Sequence, residues 1–322
     1  MPGDQTNYSG RRSLILQLIF ALCAPSCSAV AAQMSESCSP SAEVVQIASG
    51  VYVRPGHAAV VFEGDEIANI GFVVGNRCVA VVDTGGSVAE GHALDCAIRG
   101  VTDRPVCYVI NTHVHPDHLL GNLAFQRAGV EFVGHAKLPR ALALRGKTYL
   151  ERASEYENTQ LHESTIVFPE RTVTGVVKLD IGGRVLTVRA HQSAHTDHDI
   201  SVVDDETNTA FLGDLVFLQH LPVIDGSING WIGELGVITG ESWDNVVPGH
   251  GAPRAAWPSA AGPTAVYLTE LRDDVRTWIA SGGDLASAQD NIGHSRSEAW
   301  LLFDRYHRRN VGAAYAELEW ED

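Results

Sequence analysis

From Val44 to about His250 the apolar positions fall into short runs broken by Gly, Pro and Asn. VYV, AAVVFE, NIGFVVG and RCVAVVDTG are rich in β-branched residues and read as strands. VVDTGG leads into SVAEGHALDCAIR, which has helical spacing. VCYVINT is almost continuously apolar, as expected of a strand covered on both faces. GNLAFQRAG and AKLPRALALRGKTYLERA read as helices on either side of EFVGH. The second half repeats this order. VTGVVKLDIGGRVLTVRAH predicts a hairpin turning at Gly182-Gly183. ISVVDD and NTAFLGD predict strands, LQHLPVIDGSINGW a loop, and WDNVVPGHG a last strand with its loop. Beyond about residue 258, Leu268, Leu271, Val275 and Trp278 recur at helical spacing, Ser281-Gly282-Gly283 closes that helix, and two more helical stretches follow. Strands then helices, twice over, predict an α/β (α+β) chain with two sheets face to face and helices outside. It forms one domain over 44–322, helical from about 258.

The first residues follow a different pattern. Arg11-Arg12 precede the apolar run SLILQLIFALCA, and small residues then end in SAVAAQ. That order is expected of a secretory signal over residues 1–32, cut after Ala32 with Ala29 as the alternative, and the paired arginines are compatible with twin-arginine export. The run is short for a span of about 20 residues, so cleavage is expected rather than anchoring. Residues 33–43 are expected to be a flexible segment. Export predicts a periplasmic protein with no membrane insertion after the signal is removed.

Charge narrows the partners. The chain carries 23 basic and 39 acidic residues, net −16, and loss of 1–32 leaves it about one unit more negative. Phosphate backbones are bound by basic clusters, so no nucleic-acid partner is expected, and a small-molecule substrate is. Cys38, Cys78, Cys96 and Cys107 remain after the cut, and export permits a disulfide. Cys78 and Cys107 lie in apolar strand-like runs, where a buried thiol is the ordinary reading. No C-x-x-C occurs, which argues against a thiolate zinc site.

The candidate chemistry lies in NTHVHPDH, where His113, His115, Asp117 and His118 follow the apolar strand VCYVI. Loops at the carboxyl ends of core strands form ligand crevices in α/β sheets. His195 in QSAHTDHDI, Asp214 in FLGDLVF and His250 in VPGHGAP also follow strands. Seven imidazole and carboxylate groups exceed the needs of one tetrahedral ion and suit two divalent ions sharing a carboxylate. Zinc suits such ligands, and Mn2+ or Fe2+ is compatible with them. Each lone histidine or aspartate is also an ordinary loop residue. His57, His92, His135, His162, His191 and His220 take that reading, except that His220 and Trp231, after Asp214, are candidates for substrate contact.

HVHPDH with the spaced His195, Asp214 and His250 resembles the metallo-β-lactamase-fold hydrolase superfamily over roughly residues 44–255. The resemblance implies a four-layered αββα sandwich with the metals at one edge. It implies that His113, His115 and His195 bind one ion, that Asp117, His118 and His250 bind the other, and that Asp214 bridges them. Asp83 in VVDTG would support the metal loops through hydrogen bonds; capping the following helix is its alternative role. His115 stands where oxygen-reducing di-iron members have Glu. Asp214 stands where one class of β-lactamases has Cys, which is similar to thioesterase, lactonase and sulfatase-type members. HVHPDHLLGN, GHAKLPRAL and FLGDLVFLQHLPVIDGS resemble exported zinc metallohydrolases associated with quinoprotein dehydrogenase systems. Asp197-His198-Asp199 departs from relatives with Gly before the last position, leaving His198 either a surface residue or an extra polar group. The implied reaction is hydrolysis of an ester, thioester, lactone or related small molecule by a metal-bridging hydroxide, with Asp117 orienting it and passing on its proton. The alternative is a non-catalytic periplasmic protein binding a metal or a quinone-type cofactor on the same fold.

Overall fold

The computed structural model describes residue 38 and residues 43–59, 66–157, 161–162 and 165–321. The expected signal segment 1–32 and nearly all of 33–43 lie outside the described residues. Cys38–Asp322 forms one compact unit. Among the described residues no helix is long and apolar enough to cross a membrane.

The first sheet contains β1 (Val45–Ala48), β2 (Val51–Arg54), β3 (Ile70–Val74), β4 (Val79–Val82), β5 (Val106–Ile110), β6 (Glu131–His135) and β7 (Arg171–Val173) in sequence order. β1 to β4 pair antiparallel and β4 to β7 parallel. The parallel part needs crossovers, supplied by α1 (Val88–Val101) and α3 (Leu138–Glu157) among other segments. The chain then changes sheets at Thr174-Gly175. β8 (Val176–Asp180), β9 (Val185–Ala190), β10 (Ile200–Asp204), β11 (Thr209–Phe217) and β12 (Asn245–His250) form the second sheet, ordered β12-β11-β10-β9-β8. The β8–β9 hairpin turns through Gly182 and Gly183, both at positive φ, a conformation that glycine adopts without steric cost.

The two sheets bury their facing sides together. Val53, Val73, Val82 and Ile110 from the first meet Val188, Val202, Phe211 and Val247 from the second. Outside the first sheet, Leu94 and Ile98 of α1 pack on Ile70, Phe72 and Val81. Outside the second, α4 (Ile228–Ile238), α5 (Ala261–Ala280) and α7 (Phe303–Leu318) contribute Trp231, Leu268 and Val311 to another core. A large apolar side chain so buried stabilises the fold by about 1.5–3 kcal/mol. The result is the αββα layering.

Several local expectations are corrected. AAVVFE is not a strand at Ala58-Ala59, and its last four residues lie outside the described residues. GNLAFQRAG is a 3₁₀ turn over Leu120–Phe125 rather than a helix. Its backbone presses on the neighbouring layer: a Cβ at Gly121 would stand 2.0 Å from the Thr84 carbonyl oxygen. The loop expected through Trp231 ends early, because Ser227 caps α4 by accepting from the Gly230 N–H. Cys78 and Cys107 are joined as a disulfide rather than left as thiols, with Cα atoms 5.8 Å apart. They flank the paired residues Val79 and Val106 of adjacent strands, within the usual bridging distance. Cys38 is bonded to Cys96.

Candidate metal centre

Segments of four strands and their loops, from both sheets, deliver the candidate ligands to one rim, Asp214 from inside its strand rather than past its end. The loop after β5 enters α2 (Pro116–Leu119), with Pro116 at a position where a missing N–H costs nothing. His113, His115, Asp117 and His118 come from this turn. His195 comes from the β9–β10 loop, Asp214 from within β11 and His250 from the end of β12. The ligand atoms form two groups, His113, His115, His195 and Asp214 in one and Asp117, His118 and His250 in the other, each within 4.8 Å of one another.

The separations have a physical meaning. Donors about 2.0–2.1 Å from a common tetrahedral centre stand roughly 3.3 Å apart. Here His115 Nδ1 lies 3.1 Å from His113 Nε2 and 2.9 Å from His195 Nε2. Asp214 Oδ2 lies 3.6 Å from His113 Nε2, 3.4 Å from His195 Nε2 and 3.3 Å from His250 Nε2. Asp214 Oδ1 lies 3.2 Å from His118 Nε2, and Asp117 Oδ2 lies 3.6 and 3.5 Å from the Nε2 atoms of His118 and His250. Asp214 therefore stands between both groups.

The outer hydrogen bonds fix which ring nitrogens face inward as acceptors. His195 Nδ1 donates to the Val223 carbonyl (2.7 Å), His250 Nδ1 to the Ile67 carbonyl (3.0 Å) and His118 Nδ1 to Asp83 Oδ2 (2.8 Å). His115 Nε2 donates to Asp225 Oδ2 at 3.0 Å. Thr112 Oγ1 spends its proton on Asp83 (2.7 Å) and so accepts from His113 Nδ1 (3.0 Å). A neutral imidazole has one N–H, and in all five rings it points away from the centre. With the rings neutral, as metal ligands must be, five lone pairs and the carboxylates of Asp117 and Asp214 converge on the centre. His118 Nε2 and Asp214 Oδ1 are buried and have no hydrogen-bond partner. Such groups are costly to bury unless a cation answers them. The residues fit a pair of divalent ions.

The electrostatics agree. Burial holds His195 neutral, its pKa lowered to about 3, and drives His113 well below its ordinary value. For His118 and His250 burial also disfavours the cation, but Asp214 and Asp117 outweigh it and raise both pKa values. The potential that retains protons there favours metal cations equally.

Asp83 takes its place as a support. It sits at φ 57°, accepts from the Thr112 N–H (2.8 Å) and hydroxyl, and orients His118. Helix α1 is capped instead by Ser87. Gly249 admits Asp214, because a Cβ there would stand 1.9 Å from its Oδ1. Asp225 is a further functional residue, one that no local sequence motif marks. Burial works against its ionisation, yet His115 and Arg145 outweigh that and hold its carboxyl below the usual range. Its only sequence signal is an acid in a loop following a ligand strand, and its partner is 110 residues away.

A cavity of about 520 Å³ opens in front of the ligands, bounded by Asp117, Phe217, His220 and Tyr306 among others. His220 lines it, with Nε2 accepting from the Ala59 N–H (2.9 Å). Trp231 does not line it, correcting its expected substrate contact. The indole is fully buried, packs on the His195 ring (centroids 5.2 Å apart) and donates to the Leu215 carbonyl. His198 is not a surface residue either. It is 1% exposed, and its Nε2 has no hydrogen-bond partner.

Comparison with known proteins agrees with this geometry. The family model "Metallo-beta-lactamase superfamily" matches residues 64–278. No curated protein matches the chain. A metallo-β-lactamase from Pontibacter korlensis superposes with a TM-score of 0.58 at 23% identity, covering 70% of this chain and 98% of that one. One from Hirschia baltica gives 0.54 at 21%, covering 70% and 97%. The stereoselective inverting sec-alkylsulfatase Pisa1 from Pseudomonas sp. gives 0.65 at 14%, covering 87% of this chain and 51% of that one. At these identities the neighbours share the fold, while the family model spans more than half the sequence. The chain belongs to the metallo-β-lactamase superfamily.

Proposed function

We propose that the protein is a binuclear zinc-dependent hydrolase of small molecules carrying an ester, thioester, lactone or related bond, working in the periplasm. The observation that carries this reading is the convergence of five imidazole lone pairs with the carboxylates of Asp117 and Asp214 at the floor of an open cavity. His113, His115 and His195 would hold one ion and Asp117, His118 and His250 the other, with Asp214 shared. Zn2+ suits the donors best, and Mn2+ or Fe2+ fits the same set. Such ions, when bound, lower the pKa of water from 15.7 towards about 7 and polarise the substrate oxygen.

The chain's own residues supply the remaining steps. Asp117 borders the cavity and accepts the proton of the attacking water. Asp83, Asp225 and the carbonyls of Val223 and Ile67 keep the imidazoles in one tautomer. Phe217 and Leu221 give the cavity an apolar side that excludes water from the reacting bond. The two disulfides support an exported, oxidising location. The likeness of three sequence stretches to exported hydrolases of quinoprotein dehydrogenase systems supports a place beside such a system. The alkylsulfatase neighbour adds sulfate esters to the candidate substrates.

The test is elemental analysis combined with a screen of ester, thioester, lactone, β-lactam and sulfate-ester substrates. Two bound ions per chain and turnover of at least one class are expected, and Asp117→Asn should cut kcat by at least about 100-fold without unfolding the protein. Two ions with no turnover on any class would identify a binding protein instead.

A further inference from the structure

The loop between β11 and α4 carries the acceptors that orient two imidazoles of one candidate ion, the Val223 carbonyl for His195 and Asp225 Oδ2 for His115. The Asp225 N–H also donates to the His195 carbonyl at 2.9 Å. This loop is stitched to the C-terminal part of the chain. Leu301 donates to the Gln219 carbonyl (2.8 Å) and accepts from the Leu221 N–H (3.0 Å). Asn310, fully buried on α7, clamps the residues on either side of Val223. Its Oδ1 accepts from the Ile224 N–H (3.0 Å) and its Nδ2 donates to the Pro222 carbonyl (2.6 Å). A backbone N–H only donates and a carbonyl only accepts, so these two bonds fix the orientation of the amide. Nδ2 also donates to Tyr267 Oη at 2.9 Å, which seats the amide from a third direction. The preceding residue, Arg309, donates to Asp225 Oδ1 at 3.0 Å, beside the bond from Arg145. Helix α7 lies beyond the residues matched by the family model. The acceptors serving the other candidate ion, Asp83 for His118 and the Ile67 carbonyl for His250, belong to the N-terminal half of the chain.

We propose that Asn310 and Arg309 are positioning residues for the ion of His113, His115 and His195: helix α7 sets the Val223 carbonyl and Asp225, and through them two of the three imidazoles. The proposal rests on the two-ion reading of the same centre. His195 presents its Nε2 lone pair inward only while its Nδ1–H is held outward, and the carbonyl that holds it is pinned on both sides by one amide. With that amide removed, the Ile224 N–H and the Pro222 carbonyl lose a buried partner, and the loop must shift to find another. Outer partners of metal-bound imidazoles change affinity about 10–100-fold. The rings of His118 and His250 take their orientation from other segments, so the effect falls on one ion of the two.

The test is a calorimetric titration of the metal-free full chain with Zn2+, resolving two binding steps. Asp225→Asn strips His115 of its carboxylate acceptor and so marks the step belonging to the first group. Asn310→Leu nearly keeps the volume and removes both clamping bonds; it is expected to weaken that same step about 10-fold and leave the other within about 3-fold. Arg309→Gln alters an exposed side chain, so the fold is kept, and should weaken the same step about 3-fold, since Arg145 still holds Asp225. Val311→Ala, one position along, removes buried packing from the same helix and should lower the urea midpoint while leaving the ratio of the two affinities unchanged. A merely structural role for Asn310 would give Asn310→Leu the behaviour of Val311→Ala and overturn the proposal. Unchanged zinc binding in Arg309→Gln would overturn it too, and that variant decides if Asn310→Leu does not fold. Two ions bound equally well by native and variant chains overturn the positioning role and leave the two-ion centre standing. A native chain that takes up no zinc overturns both.

Discussion

Gly249→Ala tests the centre through one methyl group placed beside Asp214. Gly249 is not among the residues at positive φ, so alanine costs nothing in backbone conformation there. Its Cβ would stand 1.9 Å from Asp214 Oδ1, 2.7 Å from the Gly213 carbonyl carbon and 2.9 Å from the Asp214 amide nitrogen. Real Cβ atoms do not approach closer than 3.0 Å, so the carboxylate oxygen must retreat by about 1.1 Å. The bond it would make is about 2.0–2.2 Å long, so a retreat of that size breaks it. Overpacking of this kind costs the fold about 1–3 kcal/mol, which a domain of this size tolerates. Because Asp214 stands between both groups, both ions should weaken together. Elemental analysis after dialysis against a chelator is expected to show metal lost at a chelator concentration at least about 100-fold below that needed for the native chain, since even outer partners cost 10–100-fold. Far-ultraviolet circular dichroism should stay native. Two ions retained with native resistance to the chelator would refute the shared role of Asp214.

Three further outcomes are expected. Asp225→Asn leaves His115 with a poorer acceptor and should weaken metal binding about 10-fold or more in a chelator titration; unchanged affinity would remove Asp225 from its orienting role. Replacing Cys78 and Cys107 together by Ala opens a loop of 29 residues and should cost about 3–4 kcal/mol in urea unfolding under non-reducing conditions; an unchanged midpoint would remove the crosslink from the fold's stability. Glu90 is buried and its pKa is raised to about 8, burial outweighing Arg54 at 2.7 Å. A raised carboxyl pKa contributes stability that is full below about 4.5 and lost as pH rises through about 8. Glu90→Gln should therefore gain on the native chain by more than about 1 kcal/mol between pH 5 and 8.5 in chemical unfolding, and parallel profiles would contradict that sign.

The strand pattern carried most of the fold, because burial on one or both faces leaves a period in the chain that the eye can follow. The ligand strands were legible for the same reason: His113, His195 and His250 each stand just past an apolar run. What escaped was set by contacts between distant residues. Asp225 reaches His115 across 110 positions, and nothing local marks it as a partner. Cys78 and Cys107 looked like buried thiols because their pairing depends on β4 and β5 being parallel neighbours, which apolar runs do not encode. Trp231 follows residues that look like loop in the sequence, but Ser227 starts α4 there and helix packing turns the indole into the core. The burial of His198 depends on the folded β9–β10 loop, which no local pattern encodes.

The delivery of ligands from both sheets has a thermodynamic corollary. His113, His115, Asp117 and His118 hang from the first sheet, and His195, Asp214 and His250 from the second. Ions seated among them would rivet the halves of the sandwich, and separating the halves would expel them. Each ion's occupancy therefore adds to resistance against unfolding as RT ln(1 + [M]/Kd), about 2.7 kcal/mol at 100 times Kd. The melting temperature of this protein should accordingly report the free metal concentration around it, climbing logarithmically along a zinc titration.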